Sequence, residues 1–215
     1  MKRVNLFCGH YGSGKTNIAV NYALFLKRSG YSVAIADIDV VNPYYRTKDS
    51  EEALRAAGIE VISSAYANSN VDVPALPSQV YALVQNQSRY AVFDVGGDDR
   101  GALALGRYVP DILEENNYDM FFVANFFRPL TGNAGDALEV MREIEGACGL
   151  PFTGIINNSN LGSETTVDAV TGTFGECEKL CSLSALPLVM TTADESLAAQ
   201  IPGAFPLKLQ KRPFE

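Results

Sequence analysis

Residues 9–16 read Gly-His-Tyr-Gly-Ser-Gly-Lys-Thr and match the pattern G-x-x-x-x-G-K-[ST]. They follow a short apolar run at residues 4–8, typical of a buried strand, and precede a run whose apolar residues recur at helical spacing until Gly30. A glycine-rich bend at the start of a helix turns backbone N–H groups toward one point, where the helix dipole favours anions. The sequence therefore predicts a phosphate-binding loop, in which Lys15 reaches the phosphates and Thr16 ligates Mg²⁺. The alternative is a glycine-rich turn without a ligand, which the flanking elements disfavour.

The bulk composition limits the class of protein. A chain of 215 residues, 47% hydrophobic and 20% charged, is long enough for one substantial core, so we expect a single nucleotide-binding domain over residues 1–215. The net charge of −8 opposes sequence-independent binding to nucleic acid. The first strand begins too early for a cleaved leader, and no apolar run reaches the roughly 18 residues of a membrane span. We therefore expect a cytoplasmic protein that binds neither nucleic acid nor membrane.

Apolar runs of strand length alternate with helix-length stretches along most of the chain. Several runs are apolar on both faces, as in a parallel sheet that helices cover on each side. The pattern predicts an α/β fold with three layers, built on a doubly wound, mostly parallel sheet of about seven strands. We expect Pro110 to split or end a helix, and residues 63–77 to form a surface loop. The strand candidates are residues 4–8, 32–36, 60–62, 90–93, 120–124, 152–156 and 187–189, and the helix candidates are residues 16–29, 50–57, 77–86, 101–117, 135–146 and 164–181.

Aspartates follow two of the strand candidates. Ligands of open α/β sheets bind beyond the carboxyl ends of the strands. Asp94 follows residues 90–93 and precedes a Gly-Gly pair, so we expect it to hold Mg²⁺ directly or through water. Asp37 and Asp39 follow residues 32–36, and their spacing places both carboxylates on one side of an extended chain. One could support the metal and the other could orient an attacking water, whereas the alternative for each aspartate is a turn residue.

The predicted metal ligands are thus Thr16, Asp37 and Asp94, and the predicted catalytic residues are Lys15 and Asp39.

Asn158 follows residues 152–156, and its amide offers a donor and an acceptor that suit the edge of adenine. The alternative for Asn158 is a turn residue. The residues expected to contact nucleotide are Gly9, His10, Tyr11, Gly12, Ser13, Gly14, Lys15, Thr16, Asn17 and Asn158.

For three arginines and two cysteines, we favour a structural role over a functional one. Arg46, Arg100 and Arg128 follow strand candidates and could stabilise phosphate charge, but arginines are common on surfaces. Cys177 and Cys181 share a face of a predicted helix. Two thiols are too few for a closed zinc site unless two subunits combine theirs, and free cysteines usually pack in cores.

With these residues assembled, the chain resembles the branch of P-loop ATPases that contains MinD, ParA, the nitrogenase iron protein and the Mrp-like and nickel-insertion ATPases. The resemblance rests on residues 9–16, 37–39, 94–97 and 154–159. It implies that Lys15 and Thr16 bind phosphate and Mg²⁺, Asp39 positions water, Asp94 ends the Walker B strand and Asn158 meets adenine.

The resemblance further implies an ATP-driven homodimer with an unknown protein partner. The chain departs from the family at position 10, where His10 replaces the signature lysine that reaches across the dimer, and Tyr11 stands where a glycine is usual.

Three functions agree with these features. The first is a slow Mg²⁺-dependent ATPase that binds ATP and ADP and acts as a conformational switch. The second is a metabolic enzyme, either a small-molecule kinase or an amide ligase of the cobyrinate or dethiobiotin type. The third is a module that binds nucleotide without hydrolysing it. The sequence shows no separate acceptor-binding domain, which favours the switch.

Overall fold

The structure is a computed structural model that describes residues 1–38, 50–63, 78–97 and 99–209. Within these ranges the chain forms eight strands and nine α-helices. The strands are β1 (Val4–Cys8), β2 (Val33–Asp37), β3 (Glu60–Ser63), β4 (Tyr90–Asp94), β5 (Tyr118–Ala124), β6 (Gly154–Asn157), β7 (Leu188–Asp194) and β8 (Ala204–Leu207). The helices are α1 (Lys15–Arg28), α2 (Glu51–Ala56), α3 (Ser78–Gln85), α4 (Asp99–Gly106), α5 (Val109–Glu115), α6 (Ala134–Cys148), α7 (Val167–Thr171), α8 (Phe174–Ser184) and α9 (Glu195–Ala198), and 3₁₀ turns lie at Pro129–Thr131 and Gly162–Glu164.

All the strands join one parallel sheet in the order β3-β2-β4-β1-β5-β6-β7-β8. The predicted α/β fold is confirmed, but the prediction of about seven strands was one too low. The missing strand, β8, is four residues long and contains Pro206, which an edge strand tolerates because one of its sides has no ladder to satisfy. The first strand, β1, lies inside the sheet between β4 and β5, so the loop that follows it opens between two neighbouring strand ends.

Helices cover both faces of the sheet. Alternate residues of β1 point to opposite sides, so Leu6 joins one buried cluster and Phe7 joins the other. The cluster around Phe7 contains apolar residues of α1 and α2, and the cluster around Leu6 contains those of α3 to α6 and α8. The three predicted layers are therefore present.

Two helix predictions changed in detail. The predicted helix at residues 101–117 is divided into α4 and α5, and Pro110 stands in the first turn of α5, where its missing N–H costs nothing. The predicted helix at residues 164–181 was wrong as one element, because a 3₁₀ turn, α7 and α8 replace it. The predicted loop at residues 63–77 lies outside the described ranges except for Ser63, which ends β3. Among the helices of the described residues, none has both the length and the apolar character needed to cross a membrane.

Arg3 joins several elements at the amino end of the sheet. It is 6% exposed, and its guanidinium donates to the carbonyls of Leu83 and Val84, in the last turn of α3, at 3.3 and 2.6 Å. It also donates to the carbonyls of Asn86 and Arg89. The same guanidinium forms a salt bridge with Glu115 at the end of α5. One buried cation thus satisfies carbonyls beyond the helix end and links β1 to α3 and α5.

Candidate nucleotide-binding site

The predicted phosphate loop lies between the end of β1 and the start of α1. Gly14 precedes α1 with φ of +90°, a left-handed conformation that glycine adopts without strain. A Cβ at this position would also overlap the Nδ2 atom of Asn158. The local backbone and its neighbour therefore both require glycine here.

The first turn of α1 has no side-chain cap. Its N-cap residue is Gly14, and its first turn carries no acidic residue. The side chains of Asn133, Thr166 and Asp194 cap α6, α7 and α9, whereas α2, α5 and α8 have no side-chain cap either. In this described part of the chain, the amino end of α1 therefore presents N–H groups without a competing side chain, as an anion site requires.

Lys15 and Thr16 stand at the start of α1 and contact two sides of the loop. Lys15 is 7% exposed, and its Nζ donates to the carbonyl of His10 at 3.2 Å. The Thr16 hydroxyl donates to Oδ2 of Asp94 at 2.6 Å. The sequence motif and the end of β4 thus meet as predicted.

The two predicted metal-binding carboxylates end neighbouring strands. Asp37 of β2 and Asp94 of β4 are register partners, and they are 6% and 2% exposed. With the Thr16 hydroxyl they supply oxygen atoms, which Mg²⁺ prefers as ligands. Three side-chain oxygens are fewer than the six ligands of Mg²⁺, so an ion held by this group would take its other oxygens from phosphate and water, as is usual for this ion.

The backbone after β4 crosses over the phosphate loop at Gly97. A Cβ at Gly97 would lie 2.7 Å from the amide nitrogen of Tyr11, 2.9 Å from Nζ of Lys15 and 3.0 Å from the carbonyl oxygen of Gly9. On its other side, the neighbouring Gly96 is so close to Gly101 in α4 that a Cβ at Gly101 would lie 2.5 Å from the Gly96 Cα. The Gly96–Gly97 segment therefore lies between the loop and α4, and neither Gly97 nor Gly101 has room for a side chain.

Asn158 lies behind the loop, just after β6. It is 4% exposed, its Nδ2 donates to the carbonyl of Ser13 at 2.6 Å, and its Oδ1 accepts from the Thr192 hydroxyl at 2.6 Å. Both ends of the amide are therefore bonded within the protein. Contact with adenine stays a prediction. Sequence reasoning missed Thr192. A polar residue in the strand that lies beside β6 would have been the signal for a contact with Asn158.

Arg128 contacts the loop, although the sequence favoured a surface arginine. Its side chain is exposed, and Nε donates to the carbonyl of Gly12 at 3.1 Å. Asp39 and Arg46, together with the side chain of Arg100, lie outside the described part of the chain.

The remaining predicted loop residues differ in exposure. Tyr11 is 60% exposed, and His10 is half-buried with its Nδ1 atom 3.1 Å from the Tyr11 carbonyl. Asn17 accepts from the Asn21 side chain within α1.

The cysteines pack as the structural interpretation expects. Cys177 is buried in the larger core cluster and Cys181 packs against it. Burial raises the pKa of the Cys177 thiol to about 12. Cys8, in the strand before the loop, is also fully buried, and burial raises the pKa of its thiol well above the ordinary value. Both thiols are therefore protonated at neutral pH and are poor nucleophiles.

Comparison with known families agrees with this geometry. The profile of the CbiA family, described as the CobQ/CobB/MinD/ParA nucleotide binding domain, matches residues 9–165, which is well over half of the chain. The chain belongs to this family. The resemblance inferred from the motifs is thereby confirmed, and this MinD/ParA-family chain is a nucleotide-binding P-loop domain.

Solved structures share the fold of this family member at low identity. They include FtsY from Thermotoga maritima, at 16% identity with a TM-score of 0.60, covering 91% of this chain and 63% of that chain. Chloroplast FtsY from Physcomitrella patens is 19% identical with a TM-score of 0.59, covering 89% of this chain and 58% of that chain. The signal recognition particle 54 kDa protein from Aeropyrum pernix, in complex with GDP, is 16% identical with a TM-score of 0.57, covering 88% of this chain and 41% of that chain.

These similarities show the fold alone. The chain spans less than two thirds of the length of each of these structures. None of the curated protein sequences compared with the chain matches it significantly.

Proposed function

We propose that this protein is a slow Mg²⁺-dependent ATPase that acts as a conformational switch for a protein partner. The observation that carries the proposal is the hydrogen bond between Thr16 and Asp94, beside the uncapped start of α1. This pairing of a loop hydroxyl with a strand-end carboxylate is the arrangement that P-loop NTPases use for the metal ion.

Phosphate binding would fall to the loop and Lys15. The N–H groups at the start of α1 would donate to the phosphates. Lys15, which now donates to the His10 carbonyl, would donate to phosphate oxygens instead. Thr16, Asp37 and Asp94 would hold Mg²⁺, and a bound ion would supply neutralisation of the phosphate charge.

Hydrolysis needs a positioned water as well as charge stabilisation. We assign the positioning of this water to Asp39, which stands two residues after Asp37 in the sequence. Lys15 would stabilise the negative charge that develops between the β and γ phosphates. The Asp39 side chain lies outside the described residues, so this role stands on its position in the sequence.

The switch would use the segment after β4. Gly97 is close to both the Tyr11 amide and the Lys15 ammonium, so a γ-phosphate held by Lys15 would contact the Gly96–Gly97 backbone. Loss of that phosphate would change the position of this segment against α4. A protein that recognises the segment or α4 would then distinguish the two nucleotide states.

The choice of ATP rests on the resemblance to MinD and ParA. The structural neighbours do not support it, since the protein from Aeropyrum pernix was solved with GDP. The matched family also includes CobQ and CobB in its description, which keeps a metabolic enzyme as a second candidate. Such an enzyme would transfer phosphate to a small acceptor instead of water.

Phosphate release from purified protein tests the proposal. We expect slow release that requires Mg²⁺, is faster with ATP than with GTP, and is abolished by Lys15→Ala and by Asp39→Ala. Rates that rise faster than linearly with protein concentration would support an active homodimer. Turnover that is unchanged by Lys15→Ala would refute the ATPase. ADP formation that requires an added acceptor, without free phosphate for a kinase and with it for an amide ligase, would favour the metabolic enzyme.

A further inference from the structure

A loop that binds an anion through its N–H groups must find partners elsewhere for its carbonyl groups, because buried backbone polar groups are almost always paired. At least three carbonyls of this loop have partners that stay in place when Lys15 turns to phosphate. The carbonyl of His10 accepts from the Ser13 amide, and that of Gly12 accepts from Arg128. The third, that of Ser13, accepts from Asn158 at 2.6 Å.

The orientation of the Asn158 amide follows from its two neighbours. A backbone carbonyl can only accept, so the atom that faces Ser13 must be Nδ2. Oδ1 then faces Thr192, whose hydroxyl donates at 2.6 Å from a site that is 1% exposed. Because a hydroxyl can donate or accept, the Ser13 carbonyl sets which end of the amide reaches the loop, and Thr192 holds the opposite end in place.

The backbone of Asn158 is also fixed. Its N–H donates to the Ala124 carbonyl at 2.8 Å, and its carbonyl accepts from the Asn160 side chain at 2.8 Å. The absent side chain of Gly14 leaves the space that Nδ2 occupies. The backbone of Asn158 is thus held by β5, and its side-chain amide is held by β7 and the loop.

The carbonyl of Ser13 and the N–H of Gly14 belong to the same peptide unit. In a planar trans peptide these two groups point in opposite directions. When Asn158 holds the carbonyl on the outside of the loop, the Gly14 N–H must point away from Asn158, toward the inside.

We propose that Asn158, held in place by Thr192, is a positioning residue that sets the Ser13–Gly14 peptide for phosphate binding before any ligand arrives. The inference rests on the proposed function, since it needs a phosphate as the ligand of the loop. It gives Asn158 a role that depends on phosphate and is independent of the base. Preorganisation raises affinity because the loop does not have to order itself on binding.

The test compares a ligand without a base with two nucleotides. Binding of tripolyphosphate, ATP and GTP, each with Mg²⁺, is measured by calorimetry on the wild-type chain, Asn158→Leu, Thr192→Val and Thr192→Ser. Asn158→Leu removes both hydrogen bonds at similar volume and without a change in charge. Thr192→Val removes the hydroxyl, and Thr192→Ser keeps it.

We expect Asn158→Leu to weaken all three ligands by the same factor, about tenfold for one lost buried hydrogen bond and its ordering effect. Thr192→Val should weaken them in parallel by a smaller factor, about threefold, and Thr192→Ser should bind like the wild type. Amide hydrogen exchange at Gly14 in the ligand-free protein should become faster in Asn158→Leu and in Thr192→Val. If Asn158 had a purely structural role, the variants would have a lower melting temperature, but the folded variants would bind all three ligands as tightly as the wild type.

Two results would overturn the inference. Weaker ATP binding with unchanged tripolyphosphate or GTP binding would mean that Asn158 contacts adenine. Unchanged binding of every ligand to Thr192→Val and Asn158→Leu would mean that the amide does not act on the loop. If Asn158→Leu does not fold, the comparison of Thr192→Val with Thr192→Ser tests the inference by itself. A wild-type chain that binds none of the three ligands would refute the proposed function itself.

Discussion

The Thr16 hydroxyl donates a 2.6 Å hydrogen bond to the Asp94 carboxylate, which joins the start of α1 to the end of β4. Both oxygens are predicted Mg²⁺ ligands. Thr16→Ala should therefore raise the Mg²⁺ concentration that gives half-maximal nucleotide binding by about tenfold or more, as found for groups that support a metal site. A Mg²⁺ titration at fixed nucleotide measures this shift.

Thr16→Ser is the matched control, because it keeps the hydroxyl and should keep the wild-type Mg²⁺ dependence. Asp94→Asn should behave like Thr16→Ala or more severely, since it removes a charge. Identical titrations for Thr16→Ala and Thr16→Ser would remove Thr16 from the metal site.

Gly97→Ala should lower nucleotide affinity strongly. The new methyl group would lie within 3 Å of the Tyr11 amide and of Lys15 Nζ, so either the segment or the loop must shift. Calorimetry with ATP and Mg²⁺ measures the affinity, and thermal melting measures the stability of the same samples.

Gly146→Ala is the control, because no atom lies within 4 Å of a Cβ at this position in α6. It should leave binding unchanged and stabilise the helix by about 0.5–1 kcal/mol. If Gly97→Ala bound nucleotide as tightly as the wild type, the contact between this segment and the loop would not matter for binding.

Arg128→Ala should weaken nucleotide binding severalfold, because it removes a cation and a donor to the Gly12 carbonyl. The loss should shrink at high salt, since the charge of an exposed arginine is screened within about 10 Å at 0.1 M. Titrations at two salt concentrations, with the exposed Arg142→Ala as control, measure both effects.

Arg128→Lys separates the two contributions, because it keeps the charge but not the planar guanidinium. Binding equal to that of the wild type in Arg128→Lys would assign the effect to charge. No effect in Arg128→Ala beyond that of Arg142→Ala would make Arg128 an ordinary surface residue.

Arg3→Met should destabilise the fold by about 3–5 kcal/mol, as expected when one partner of a buried ion pair is removed. Glu115 and the carbonyls in the last turn of α3 would then lose their common partner. Denaturant unfolding measures the change. The double variant Arg3→Met/Glu115→Leu should recover part of the loss.

Nucleotide affinity of folded Arg3→Met should match the wild type, because Arg3 lies at the opposite end of β1 from the phosphate loop. A large loss of affinity in the folded variant would contradict this separation.

Local signals in the sequence predicted the elements that carry the site. A glycine-rich bend between a strand and a helix predicted the loop, and the carboxyl ends of apolar runs predicted Asp37 and Asp94. Their meeting follows from parallel topology, because Asp37 and Asp94 are register partners on neighbouring strands.

The contacts of Arg128 and Thr192 could not be predicted in the same way. They depend on β5, β6 and β7 following β1 in the sheet, and alternating runs do not reveal strand order. The hydrogen bond from Asn158 to the Ser13 carbonyl was also beyond the sequence, since an asparagine that faces a base and one that faces a carbonyl have the same local pattern. Strand β8 was missed because its four residues include a proline.

The attachment of the loop differs between its two sides. Toward β5 and β6, side-chain hydrogen bonds from Asn158 and Arg128 hold the carbonyls of Ser13 and Gly12. Toward β4, the Thr16 hydroxyl bonds to Asp94 and the loop backbone packs against Gly97. The β4 side carries predicted metal ligands, so a change at the phosphates should act first on Asp94 and Gly97, then on α4 and on α6, which packs against α4.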